Sequence, residues 1–134
     1  MYRDFQPRNI LVKNDKLFYI DYQSGRKGPL QYDVASLLYS GSHNLNEKEK
    51  YYLLDKYIKR LRRKIKFDKK EFLNHYYYFV MIRLLQVLGS YGLLYYKTDN
   101  IYYIKKIMKA ITNLKSILSK IKDNKLKEFI KIIL

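Results

Sequence analysis

Four oxygen-bearing side chains near the start of the chain have the types and spacing to move a phosphoryl group. Asp4 and Asn9 are separated by four residues, Asp21 ends the apolar run Leu17–Ile20, and Asp33 precedes Val34-Ala35-Ser36-Leu37-Leu38. In-line transfer of a γ-phosphoryl group needs an acceptor hydroxyl relieved of its proton and divalent cations that neutralise the phosphate oxygens. A carboxylate serves the first need and hard oxygen ligands serve the second. Magnesium keeps several waters, so one carboxylate and one amide oxygen beside the phosphates suffice. In this reading Asp4 is the catalytic base, and Asn9 and Asp21 are the metal ligands.

Positioning falls to the elements between them. Ile10-Leu11-Val12 and Leu17-Phe18-Tyr19-Ile20 flank the polar stretch Lys13-Asn14-Asp15-Lys16, which predicts a hairpin. A hairpin returns the chain to its start and brings Asp21 back beside Asn9. Asp33 is expected at the N-terminus of a helix running to about Ser40 and stopped by Gly41, where its carboxylate can accept backbone N–H bonds. Buried beneath the catalytic loop, it would hold that loop in shape.

Tyr2-Arg3-Asp4-Phe5-Gln6-Pro7-Arg8-Asn9, Ile20-Asp21-Tyr22-Gln23 with Gly25-Arg26-Lys27-Gly28, and Leu30-Gln31-Tyr32-Asp33-Val34-Ala35-Ser36-Leu37-Leu38-Tyr39 resemble the aminoglycoside phosphotransferase and choline kinase superfamily. The likeness is to a bacterial branch that includes anomeric kinases of N-acetylmuramate and N-acetylglucosamine. Arg83-Leu84-Leu85-Gln86-Val87-Leu88-Gly89-Ser90-Tyr91-Gly92 and the helix around Asn113-Leu114 are similar too, so the resemblance spans nearly the whole chain. Tyr2 stands where the wider superfamily carries histidine, which fits the narrower branch.

The resemblance implies an α+β, mostly helical fold, the C-terminal lobe of the protein-kinase-like architecture: a short β-hairpin carrying the catalytic and metal loops over residues 1–33, then about five helices over 34–134. It implies a kinase that uses ATP and Mg2+ to phosphorylate a hydroxyl of a small molecule, a sugar or amino sugar. Arg3 joins Asp33 as support of the catalytic loop. Arg83, Gln86 and Tyr91, polar groups on an otherwise apolar helix, are candidates for holding the acceptor. Arg26 and Lys27, just past Asp21, could neutralise phosphate or an acidic substituent.

A Gly-rich loop, a nucleotide-contacting Lys and its partner Glu have no room among the three residues before Asp4. Those parts position ATP. The expectation is therefore a C-terminal lobe that is inactive by itself, with apolar surface exposed towards the absent lobe and a tendency to self-associate there.

Composition narrows the alternatives. The chain has 134 residues, one domain's worth, and a net charge of +16 from 28 basic and 12 acidic residues. Its lysines are spread over helix faces, so a solvated surface is the first explanation; Lys59-Arg60-Leu61-Arg62-Arg63-Lys64 is the densest cluster. A basic nucleic-acid-binding helical domain and a non-catalytic binding remnant are the competing functional classes. The absence of cysteine excludes disulfides and thiolate metal sites and fits a cytoplasmic protein. His43 and His75 are expected to be structural. The run Tyr76–Tyr96 is long enough to span a bilayer, but Arg83 and Gln86 at its centre oppose insertion, so no membrane partner is expected.

Farther along, Asn46 with Glu49 forms a capping box for a helix striped by Tyr51, Leu54, Ile58, Leu61 and Ile65. Asp68 with Glu71 opens a second helix through Phe72, Tyr76, Phe79, Arg83 and Gln86 toward Gly89 or Gly92. Asp99-Asn100 precedes a third, striped by Ile104, Met108, Ile111, Leu114 and Leu118. A short helix over about Lys125–Ile133 closes the chain.

Overall fold

The computed structural model describes residues 1–134. Its elements are a 3-10 turn at Pro7–Asn9, strands β1 (Ile10–Lys13) and β2 (Lys16–Tyr19), helices α1 (Leu30–Leu38), α2 (Glu47–Arg62), α3 (Lys69–Thr98) and α4 (Ile101–Ile117), a 3-10 turn at Leu118–Lys120, and α5 (Asn124–Ile133). The fold class is α+β and mostly helical, with one hairpin and five helices. The chain divides into two compact units, Met1–Tyr76 and Tyr77–Leu134.

In the first unit β1 and β2 pair antiparallel with Ile10 opposite Tyr19 and Lys13 opposite Lys16. Asn14 and Asp15 link them at φ 50° and 56°. Two consecutive positive φ values are what a type I′ turn requires, and Asn and Asp adopt them at least cost among non-glycine residues. The hairpin's apolar side chains stay largely exposed, with Val12 at 70% and Leu17 at 56%.

Helix α1 begins at Leu30, three residues earlier than the sequence suggested. Pro29, at φ −65° and extended ψ, is its N-cap, and proline's fixed φ is pre-organised for a helix start. Asp33 consequently lies inside the first turn and does not cap it. The helix ends at Leu38, and no glycine in the chain has positive φ, so Gly41 is not the stop expected of it. Val34, Ala35, Leu38 and Tyr39 are buried, joined by Leu54 and Ile58 of α2 and Phe72 and Tyr76 of α3.

The capping box at α2 forms as the sequence indicates: Asn46 Oδ1 accepts from Glu49 N at 3.0 Å, and Glu49 Oε2 accepts from Asn46 N at 2.7 Å. The expected stripe is only partly inward. Leu54 and Ile58 are buried, whereas Tyr51 is exposed and Ile65 lies beyond the helix end. The inward face also holds Lys50, buried, with Nζ 2.8 Å from Glu47 Oε1 and 4.3 Å from the centre of the Tyr39 ring. Burial and the nearby Glu47 carboxylate push the Tyr39 phenol upward. Asp55 pairs with Lys59 at 2.8 Å and Lys69 at 3.3 Å, tying α2 to the start of α3. Tyr57 donates its hydroxyl to Leu30 O at 2.9 Å, tying α2 to α1.

Helix α3 runs through both glycines to Thr98. A glycine ends a helix when it takes left-handed φ, and neither Gly89 nor Gly92 does. It is long and apolar enough to cross a membrane by length and composition, with mean hydropathy 1.3 over an 18-residue window of which 17% is buried. In the second unit α4 starts at Asn100, whose side chain accepts from Tyr102 N at 2.9 Å. Its buried residues are Ala110, Leu114 and Ile117. Of the expected stripe Leu114 is buried but Met108 is 57% exposed; the buried positions follow steps of four and three starting from Ala110, a rotation of the inward face. Asp123 caps α5 through Leu126 N at 3.0 Å, and Ile121 and Ile130 are buried.

Candidate functional site

The 3-10 turn at Pro7–Asn9 folds the chain back over Asp4. Asn9 N donates to Gln6 O at 2.9 Å, and the turn carries the side chains of Gln6, Arg8 and Asn9 to one carboxylate. Gln6 Nε2 bonds Asp4 Oδ1 closely, Arg8 Nη2 lies 3.0 Å from Asp4 Oδ2, and Asn9 Nδ2 donates to Asp4 O at 2.9 Å and to Oδ2 at 3.2 Å. Partial burial works to raise the Asp4 pKa, but the Arg8, Gln6 and Asn9 bonds outweigh it and hold the carboxyl below its ordinary value. Asp4 is thus ionised at neutral pH and able to accept a proton.

Asn9 is itself buried, at 5% exposure. Its Nδ2 faces Asp4, so its Oδ1 points away and receives no hydrogen bond. The same residue begins the hairpin: Ile20 N donates to Asn9 O at 3.1 Å. That bond sets Asp21 one residue beyond the partner of Asn9. Asp21 is exposed and sits at φ 66°, a conformation costing a non-glycine residue on the order of 1 kcal/mol. Its Oδ1 accepts from Gln23 Nε2 at 2.5 Å, leaving Oδ2 unengaged. Arg3, the residue before Asp4, is also left-handed, at φ 77°. Backbone outliers of this kind gather where the surrounding structure fixes a functional geometry.

Asp33 reaches this loop from α1. Its Oδ2 accepts from Tyr2 N at 2.5 Å and its Oδ1 from Arg3 N at 2.9 Å. The carboxylate therefore clamps the two residues before Asp4, as the sequence suggested, although from the fourth helical position. Tyr2 crosses to the hairpin, its hydroxyl bonded to Ile20 O. Desolvation and the Asp21 and Asp4 charges raise its phenol pKa. Asp33, Asn9 and Asp4 are thus linked through one set of bonds running Asp33 to Tyr2 to Ile20 to Asn9 to Asp4, and Asp21 follows Ile20 in the chain.

Several participants were not foreseen. Gln6 and Arg8, at i+2 and i+4 from Asp4, are bonded to it, and the 3-10 turn that places them is signalled only by Pro7. Tyr2, Phe5, Leu17, Phe18, Tyr19 and Tyr22 line an open apolar concavity of about 650 Å³ beside the hairpin. Within it the Tyr2 and Phe5 ring centres are 5.5 Å apart, and those of Phe5 and Tyr19 are 6.0 Å apart. Strand alternation hid this cleft, because both faces of a two-stranded hairpin can remain uncovered.

Arg26 and Lys27 are exposed, with Arg26 N bonded to Met1 O at 3.0 Å. Arg83, Gln86 and Tyr91 belong to the second unit: Arg83 is half-buried, Gln86 is exposed and Tyr91 stacks on Tyr103 at 5.9 Å. His43 Nε2 lies 2.6 Å from Leu37 O and His75 Nδ1 lies 3.0 Å from Glu71 O, so both rings bind backbone.

No group of three or more His, Cys, Asp or Glu side chains is gathered to hold a metal alone. Asn9 Oδ1 and Asp21 Oδ2 are hard oxygen donors that accept no hydrogen bond. Two donors suit magnesium only when phosphate and water complete the octahedron. No known protein family, characterised protein or solved structure matches the chain.

Proposed function

We propose that this chain carries the catalytic half of a phosphotransferase that moves a γ-phosphoryl group from ATP to a hydroxyl of a small molecule, a sugar or amino sugar. The reading rests above all on one observation: Asp4 and Asn9 are bonded to each other at 3.2 Å, and the bond from Ile20 N to Asn9 O makes Asp21 the next residue after the hairpin partner of Asn9.

Asp4 accepts the proton of the incoming alcohol, and Gln6 on one oxygen with Arg8 and Asn9 on the other fix the orientation of its carboxylate. The depressed pKa keeps it charged, so its contribution is orientation together with proton acceptance in the transition state. Asn9 and Asp21 would hold Mg2+, which when bound neutralises charge on the phosphate oxygens. Asp33 positions the loop through the Tyr2 and Arg3 amides and touches no reactant. The exposed hairpin and its aromatic cleft would receive the nucleotide-binding lobe.

Transfer from γ-labelled ATP to a panel of sugars and amino sugars, measured for the longest reading frame containing this sequence, tests the proposal. Asp4→Asn should lower the rate by about a thousandfold, the middle of the range for losing a general base. Transfer that persists unchanged in Asp4→Asn, or is absent with every acceptor, contradicts it.

A further inference from the structure

The junction of α3 and α4 is a helical hairpin with a two-residue link, hydrogen-bonded on both sides. Thr98 Oγ1 donates to Leu94 O at 2.7 Å, Asp99 N to Tyr95 O at 2.8 Å, and Tyr103 N to Asn100 O at 3.0 Å. Tyr91 and Tyr103 stack across it. Yet its surface is apolar. Tyr96 is 83% exposed, Ile101 67%, Tyr102 55% and Leu93 54%, within ten residues of chain. Exposed groupings of this size mark a surface that meets something.

The charges around the tip identify the occupant. Residues 93–109 carry Lys97, Lys105, Lys106 and Lys109 against Asp99 alone. Lys106 Nζ lies 5.2 Å from the Tyr102 ring centre. A second copy of this chain would set lysine against lysine. A nucleic acid has use for the lysines and tyrosines but leaves Ile101 and Leu93 in water. An anionic bilayer satisfies each group at its own depth: aliphatic side chains at the acyl boundary, tyrosine hydroxyls among headgroups, and lysines extended to the phosphates.

We propose that the α3–α4 tip, through Leu93, Tyr96, Ile101 and Tyr102 framed by Lys97 and Lys105, docks the protein on an anionic membrane surface. The contact is peripheral, because Arg83 and Gln86 lie mid-way along α3 and oppose full insertion.

The chain has no tryptophan, so Tyr96→Trp supplies a single reporter at the tip. Its emission should shift to the blue and saturate on titration with phosphatidylcholine vesicles containing phosphatidylserine, and should not move with phosphatidylcholine alone. Changing Lys97 and Lys105 to Gln in that background should weaken partitioning about thirtyfold, from about 1 kcal/mol per lysine near an anionic surface. Arg60→Gln with Arg62→Gln removes the same charge from α2 and should change partitioning less than twofold. Circular dichroism identical to that of the parent verifies that each exposed-site variant is folded. Four outcomes overturn the proposal: no shift with anionic vesicles, an equal shift with neutral ones, an equal loss in the α2 control, or a concentration-dependent shift without lipid, which would mean that a second copy covers the tip.

Discussion

Replacing Asp33 with Asn isolates the clamp on which the loop around Asp4 depends. The native carboxylate accepts two backbone N–H bonds, from Tyr2 at 2.5 Å and Arg3 at 2.9 Å, and its side chain is 24% exposed. Hydrogen bonds to charged groups contribute about 1.5–3 kcal/mol each. Asn keeps one acceptor oxygen and turns an NH2 toward the other amide, so one bond is lost and a donor faces a donor. Partial exposure lets water replace some of that loss, leaving about 2 kcal/mol. With a urea slope of about 1–3 kcal/mol/M, the unfolding midpoint should fall by about 1 M. Hydrogen exchange at the Arg3 amide should accelerate about thirtyfold, since about 1.4 kcal/mol corresponds to a factor of ten. A rival explanation exists: Asp33 lies in the first turn of α1, where its charge also favours the helix dipole by about 0.3–1 kcal/mol. That effect alone predicts a smaller midpoint shift and unchanged protection at Arg3. Unchanged exchange at Arg3 would therefore refute the clamp even if the protein became less stable.

Other consequences are equally direct. Arg8→Gln should raise the Asp4 pKa, read by NMR titration of its carboxyl. Because the folded pKa is depressed, the stabilisation from ionised Asp4 is present above the ordinary carboxylate value and lost as pH falls through the folded one, so the variant should lose less stability on acidification than the parent. An ideal Cβ at Gly89 or Gly92 meets nothing within 4 Å, so Gly89→Ala and Gly92→Ala should each stabilise by about 0.5–1 kcal/mol in thermal unfolding; destabilisation by either would mean that α3 is not continuous there. Asp15→Gly creates the Asn-Gly pair preferred at a type I′ turn and should stabilise the hairpin by up to about 1 kcal/mol, with the β1–β2 register unchanged by NMR.

Local chemistry was the legible part of this chain. Asn46 with Glu49, Asp68 and Asn100 each sit where a side-chain oxygen can meet an amide two or three residues on, and each does so; the Asp123 cap of α5 was not foreseen. The hairpin followed from apolar runs around a polar turn, and with it the return of Asp21 toward Asn9. Inward faces were harder to read, because α4 offers isoleucines at several phases and only packing selects Ala110, Leu114 and Ile117. The glycines of α3 misled for a similar reason: flanking residues keep the helix going unless the glycine takes left-handed φ. At the site, Asp33 was expected near the loop on chemical grounds, whereas Gln6 and Arg8 escaped notice because their approach to Asp4 depends on a three-residue turn.

Paramagnetic Mn2+ in place of Mg2+ tests the centre of this account most directly. Titrated into the isotopically labelled chain with a nucleotide triphosphate present, it should first broaden the Asn9 side-chain amide and the Asp21 backbone amide, and Asp21→Asn should abolish the effect at Asn9. Broadening that spares Asn9 and Asp21, or that survives Asp21→Asn unchanged, would contradict the assignment of these two oxygens to one metal ion.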